Sequence, residues 1–223
     1  MIGIIAAMSS EYALFKKNKS KLFNGKKYKI VKSGVGKHAA ARATNQLINL
    51  GCDTILGWGF AGGLAKESQC GQIIITNNFV SENRRYSFRT PLYQELKNQI
   101  KSLDPTEGIL FASDKPIFDK RKKQELGKKF NSIAVDMESL GIISVVNQKK
   151  IPYLSIRVIL DDSFTTLPHW ISTLLEEKSL PKKIKLLTMN ILMPSESLKL
   201  IRLIKLHNRS AKQLYRTSAL LTK

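Results

Sequence analysis

The chain has 223 residues, 37 of them Lys or Arg and 17 Asp or Glu, which gives a formal charge of +20 at neutral pH. A chain of this length buries roughly 70% of its extended surface on folding, so a single domain spanning residues 1–223 can hold its own core without covalent staples. With 43% hydrophobic residues and two cysteines, Cys52 and Cys70, the composition excludes disordered, collagenous and disulfide-scaffold classes.

Taken in chain order, β-branched runs and helix-period segments alternate. A strand is predicted at Ile2–Ala7, a helix at Ser10–Lys17, a strand at Tyr28–Ser33, a helix at Lys37–Leu50 and a strand at Thr54–Leu56. A strand at Ile73–Val80, a helix at Leu92–Leu103, a strand at Gly108–Ala112 and a helix at Arg121–Lys129 follow. Next come a strand at Ile133–Val135, a helix at Met137–Gln148 and a strand at Tyr153–Leu160. Helices at Pro168–Glu177, Pro181–Leu192 and Ser195–Leu214 close the chain. Strands apolar on both faces, separated by helix-length segments, indicate a sheet covered on both sides, a three-layer α/β domain. Lys16–Lys21 reads as a charged loop and Ser81–Thr90 as a polar loop able to serve as a lid. The N-terminal segment lacks a basic region followed by a long apolar one, and no run approaches the ~20 apolar residues of a membrane span, so a cytoplasmic location with free thiols is expected.

Charge is concentrated at the C-terminal end: from Lys178 to Lys223 there are eleven basic residues and one acidic residue, Glu196, a local charge of +10. Lys199, Arg202, Lys205, Arg209, Lys212 and Arg216 form one stripe of a helix expected at about 195–218, with Leu200, Leu203, Ile204, Ala211, Leu214 and Tyr215 opposite. Such a stripe is either a solvated face or a surface held near phosphates, including the anionic lipids of the inner membrane face. Nucleic acid is disfavoured, because no aromatic-plus-basic motif accompanies the charge among 17 aromatic residues. The three histidines, His38, His169 and His207, are scattered, so no metal set is read from spacing.

Gly34-Val35-Gly36 and Gly57-Trp58-Gly59-Phe60-Ala61-Gly62 imitate dinucleotide-binding loops, but neither is followed by a strand ending in the carboxylate that a ribose diol requires. What both loops offer is backbone NH groups and close approach for a small ligand. Carboxylates recur where strands end: Glu11 after the first, Asp136 and Glu138 at a strand-to-helix junction, Asp161-Asp162 after the last, with Arg157 on that last strand. Each alone reads as a cap or turn residue. Together they suit cleavage of a glycosidic bond, in which one group activates water and another protonates the leaving group.

Five segments in register, Ile2–Glu11, Ser33–Lys37, Gly59–Leu64 with Gly71–Ile74, Ala134–Ser139 and Arg157–Asp161, resemble the purine nucleoside phosphorylase and methylthioadenosine/adenosylhomocysteine nucleosidase family. From Leu167-Pro168 onward the chain looks more like the hopanoid-associated branch, which acts on adenosylhopane and releases adenine. The resemblance implies a mixed central sheet flanked by helices, an adenine nucleoside substrate, no cofactor and a homodimer. It assigns Asp161 as the acid that protonates purine N7, Glu11 as the base that activates water and Arg157 as a neighbour of that water. It assigns Glu138 and Met137 to the ribose hydroxyls, Phe60, Ala61 and Gly62 to the substrate pocket, and the Asp114–Ile117 segment to adenine.

Two departures stand out. Where phosphorylases of this family carry an arginine and a hydroxyl residue for phosphate, this chain has Gly57 and Phe60, which supply neither charge nor donor; hydrolysis is therefore expected over phosphorolysis, with Lys37, Arg84, Arg85 and Arg89 as possible substitutes on loops. Phe60 also stands where the nucleosidases carry serine, and either shapes a pocket for a larger apolar 5′ substituent or fills core. The alternatives are a methylthioadenosine/adenosylhomocysteine nucleosidase, a non-catalytic basic nucleic-acid binder, and a nucleosidase fold without activity.

Overall fold

A computed structural model describes residues 1–16, 26–168 and 193–222, with residues 170, 171, 173, 179, 181, 182 and 189 singly. Ten strands form one mixed sheet: β1 (Ile2–Ala6), β2 (Tyr28–Lys32), β3 (Thr54–Gly63), β4 (Ile73–Thr76), β5 (Asn78–Val80), β6 (Arg85–Ser87), β7 (Thr106–Glu107), β8 (Leu110–Ala112), β9 (Ala134–Asp136) and β10 (Tyr153–Asp161). The helices whose bounds fall among the described residues are α1 (Ser9–Lys16), α2 (Lys37–Asn49), α3 (Pro91–Gln99), α4 (Lys120–Phe130), α5 (Ser139–Lys149) and α6 (Pro194–Leu221). This is the three-layer α/β arrangement that the alternation of elements predicts.

β3 organises the sheet. Its first half pairs in parallel with β1, Ile2↔Thr54 through Ala6↔Trp58, while its far end pairs antiparallel with β9, Gly62↔Val135 and Gly63↔Ala134. β10 lies along the whole of its other edge, in register from Tyr153↔Ile55 to Asp161↔Gly62 with a bulge after Ile159. The carboxyl ends of β1 and β9 therefore meet at the middle of β3, and that of β10 meets its end. Alternation along β3 sends Leu56, Trp58 and Phe60 into a core beneath α1, α3 and α6, and Ile55 and Ala61 into a core beneath α2 and α5.

The predicted strand at Thr54–Leu56 runs on to Gly63, and its glycines have a steric cause. A Cβ at Gly57 would lie 2.8 Å from the Tyr153 hydroxyl and 2.9 Å from Ser155 Oγ. At Gly59, where φ is +148°, it would overlap the Glu11 carboxylate. The strand predicted at Ile73–Val80 is divided at Asn77, because β4 pairs with β10 and β7 whereas β5 pairs with β6 and β8. Ser81–Thr90 is no free lid: Arg85–Ser87 is an edge strand on β5, and none of the segment lines the cavity onto which Glu11 and Asp161 open. Most of the helices expected at Pro168–Glu177 and Pro181–Leu192, and of the loop Lys16–Lys21, lies outside the described residues.

The C-terminal helix extends to Leu221, and the stripe from Lys199 to Arg216 is exposed as expected. The opposite face differs. Ile204 and Tyr215 face solvent, and burial falls instead on Ser210, Leu214, Thr217, Ser218 and Leu221. Small hydroxyl residues let the helix approach closely: Ser210 donates to Ile159 O of β10 at 2.7 Å and Ser218 to Leu14 O of α1 at 3.2 Å.

Candidate active site

At the mid-β3 junction the Glu11 side chain is 2% exposed. Its Oε2 accepts from Ala7 N and Met8 N, both at 2.8 Å, and its Oε1 from Phe60 N at 2.9 Å. Gly59 has no side chain in the space that this carboxylate fills. Glu138, at the start of α5, accepts from Gly36 N at 3.0 Å, so the first glycine loop serves the site with a backbone donor. Asp136 accepts from Ser139 N at 3.1 Å and from the Ser139 hydroxyl at 2.8 Å, and the same Ser139 oxygen lies 2.7 Å from the Tyr153 hydroxyl. Arg157, 1% exposed, forms an ion pair with Asp136.

This hub holds the carboxyls Glu11, Asp136 and Glu138 against one guanidinium. A buried excess of negative charge is costly unless a proton is retained. Burial and, after it, Asp136 push Glu138 up to about 7, although Arg157 opposes them. Burial likewise raises Glu11 against the pull of Arg157 and the backbone donors. Arg157 loses hydration, yet Asp136, Tyr153, Glu138 and Glu11 hold it firmly charged.

At the other end of the cavity Asp161, 3% exposed, forms an ion pair with Lys123, a residue of α4 that is itself fully buried. Between the two ends lies a cavity of about 200 Å³. Glu11, Glu138 and Asp161 all line it, as do Met137, Phe60, Ala61, Gly62 and Ile117. Two predicted residues do not. Arg157 sits behind the carboxylates within the sheet, and Asp114, exposed at the rim, is tied to Lys37 at 3.4 Å. Phe60 belongs to the core around Trp58, lines the cavity and meets the His207 ring of α6 at 5.3 Å between centroids. Sequence reasoning missed Lys123, the lining residue Leu203, and the Ser139–Tyr153 support of Asp136.

Among the described residues no cluster of cations for a phosphate dianion lines the cavity. Lys115 is the one cation among the described lining residues. Lys37 is held by Asp114, Arg84 lies over the Tyr86 ring and Arg85 donates to Phe130 O at 3.1 Å. Among the described residues no cluster could hold a metal ion, and no helix is long and apolar enough to cross a membrane.

The sheet gathers the carboxyls of Glu11, Glu138 and Asp161 around one cavity, and the comparisons with known proteins make the chain an enzyme that breaks N-glycosidic bonds. The family profile of the phosphorylase superfamily matches residues 1–182, and the chain belongs to that family. A 5′-methylthioadenosine/S-adenosylhomocysteine nucleosidase of Staphylococcus aureus strain JH9 is 25% identical, over 72% of this chain and 86% of its own. The fold is shared with the corresponding nucleosidase of Neisseria meningitidis, solved in complex with methylthio-immucillin-A, at a TM-score of 0.72, 20% identity and coverage of 99% and 97% of the two chains. It is shared also with futalosine hydrolase of Helicobacter pylori strain 26695, at 0.68, 18% identity and coverage of 97% and 96%.

Proposed function

We propose that this chain hydrolyses an adenine nucleoside carrying a large apolar 5′ substituent, adenosylhopane being the instance suggested by the sequence resemblance, and releases adenine. The observation that carries this reading is the single cavity onto which Glu11, Glu138 and Asp161 open, with Phe60, Leu160, Leu167 and Leu203 forming an apolar part of its wall. In this reading Glu138 accepts from the ribose hydroxyls and Glu11 takes a proton from the attacking water. The negative hub stabilises the positive charge that develops on the ribose as the bond to the base lengthens. Asp161 delivers the proton that the departing purine needs at N7. Arg157 acts from behind, holding Asp136 and partly neutralising Glu11 and Glu138, rather than touching the water. Water is favoured as acceptor because Gly57 is walled in by Tyr153 and Ser155 and, among the described residues, Lys115 is the one cation that the cavity offers to phosphate.

A 5′ group of this kind resides in a lipid layer, and α6 is suited to work there. Leu198, Ile201 and Ile204 are at least half exposed among Lys199, Arg202 and Lys205, while Leu203 of the same turns lines the cavity. A second reading, a methylthioadenosine/adenosylhomocysteine nucleosidase, is supported by the 25% identical relatives. Chromatography of free base from nucleosides with 5′-methylthio, 5′-homocysteinyl and long 5′-alkyl groups separates them. The proposal expects kcat/KM to rise with alkyl length; a preference for the methylthio compound would overturn it in favour of the second reading.

A further inference from the structure

Lys123 is unlike the other cations of its helix. In Lys120–Phe130 most basic residues face solvent, but Lys123 is in phase with Leu126, Gly127 and Phe130 and is fully buried. Its ammonium meets three acceptors: the Asp161 carboxylate, Thr165 O at 2.8 Å and Asp162 O at 3.3 Å. The acceptors are themselves fixed, since Asp162 Oδ1 takes hydrogen bonds from Phe164 N at 3.1 Å and the Thr165 hydroxyl at 2.7 Å, closing the turn after β10. Asp161 lines the cavity whereas Lys123 does not, so the carboxylate stands between the lysine and the place where a base would lie.

A carboxylate paired with an ammonium has no proton of its own to give, yet the purine must gain one as it leaves. From this geometry we infer that Lys123 is a positioning residue that acts through Asp161, holding its carboxyl toward the base and replacing the proton that it passes on. The inference rests on the reading of Asp161 as the acid. As the C1′–N9 bond breaks and its electron pair moves to the base, one proton passes from Lys123 Nζ to the Asp161 carboxylate and from it to N7, which leaves Asp161 a carboxylate and the lysine an amine. The water that adds to C1′ gives its proton to Glu11; loss of that proton to solvent and reprotonation of the lysine restore the starting state, so that nucleoside plus water become free base plus the ribosyl product. Burial raises the proton affinity of Asp161, and the Lys123 ammonium beside it acts in the opposite direction. The other charged groups facing the pair are Asp162 after β10 and, through Thr165, Arg202 of α6 at 3.5 Å.

The test uses Lys123→Met and Asp161→Asn in the full chain, with retention of fold checked by circular dichroism, on an adenine nucleoside and on 4-nitrophenyl β-ribofuranoside, whose leaving group needs no proton. For Lys123→Met the expected result is adenine release slowed about 100-fold at high pH, a loss that shrinks as pH falls and Asp161 protonates from solvent, and nitrophenol release within about threefold of wild type. A loss equal for both substrates, or independent of pH, would make Lys123 merely structural and overturn the inference. Independently of turnover, the 13C-carboxyl resonance of Asp161, assigned by its disappearance in Asp161→Asn, should titrate at higher pH in Lys123→Met than in wild type. An unmoved titration also overturns the inference. If the wild type releases no base from any nucleoside, the proposed function falls and the relay with it, while the carboxyl titration still reports whether the pair exists.

Discussion

The two ends of the cavity solve opposite electrostatic problems. At the Glu11–Glu138 end three carboxyls share one guanidinium, so the hub is short of positive charge and Glu138 is pushed up to about 7. At the Asp161 end one carboxylate meets one ammonium and the pair balances. The first end is suited to a positive charge arriving on the sugar, the second to handing a proton to the base. Breaking a glycosidic bond needs both, and the carboxyls of the two ends come from different strands, β1 and β9 against β10, while Arg157 of β10 ties the hub to the strand that carries Asp161.

Substitutions at the two ends should therefore differ in kind as well as in size. Asp161→Asn is expected to retain its fold and to slow adenine release by at least about 100-fold, the usual worth of a general acid, while nitrophenol release from the 4-nitrophenyl riboside is nearly spared. Equal loss on both substrates, measured by initial rates, would erase the distinction between the ends. Gly59→Ala strikes the hub. Its Cβ would overlap the Glu11 carboxylate at a backbone angle that favours glycine, so a stability loss of about 1–3 kcal/mol is expected in urea unfolding, together with loss of turnover.

Glu138→Gln should weaken nucleoside binding about tenfold by calorimetry, through loss of a charge-assisted acceptor, and leave free adenine binding within about twofold. The same variant sharpens the electrostatic contrast through pH. Because the folded-state value of Glu138 is raised from 4.5 to about 7, its protonated form contributes stability that is fully present below 4.5 and is lost as pH rises to about 7. Melting temperatures across that window should fall in wild type and fall less in Glu138→Gln, the remainder coming from Glu11, which is raised in the same direction. The smallest effect on catalysis is expected from changing Lys199, Arg202, Lys205, Arg209, Lys212 and Arg216 to Gln. Each cation near an anionic leaflet contributes about 1 kcal/mol, so co-sedimentation with anionic vesicles should be lost. Cleavage of a water-soluble adenine nucleoside should persist, and binding that survives the change would contradict a lipid-facing role for α6.

How much of this was legible in the sequence depended on whether a residue's reason lay nearby in the chain. Strand ends β1, β9 and β10 were readable from β-branched runs, and with them the carboxylates that follow. The second half of β3 was not, because Gly57 to Gly63 reads as a loop until Tyr153, Ser155 and Glu11 are seen to occupy the space that side chains would need. The α6 face was misjudged at Ile204 and Tyr215 for a similar reason. Close packing on β10 and α1 selected Ser210 and Ser218, which hydropathy does not mark. Lys123 left one signal, a cation in phase with Leu126 and Phe130, and a run of neighbouring lysines concealed it. Asp114 stands at the rim beside Lys37, a partner remote in sequence, while Lys115, Pro116 and Ile117 of the same segment line the cavity.

The claim on which the account turns is that release of adenine uses water and needs no phosphate. Purified protein incubated with an adenine nucleoside, with and without phosphate, followed by chromatography of base and sugar, tests it directly. The account predicts adenine and the free reducing sugar at the same rate in both. Release that requires phosphate and yields a ribose 1-phosphate would contradict it.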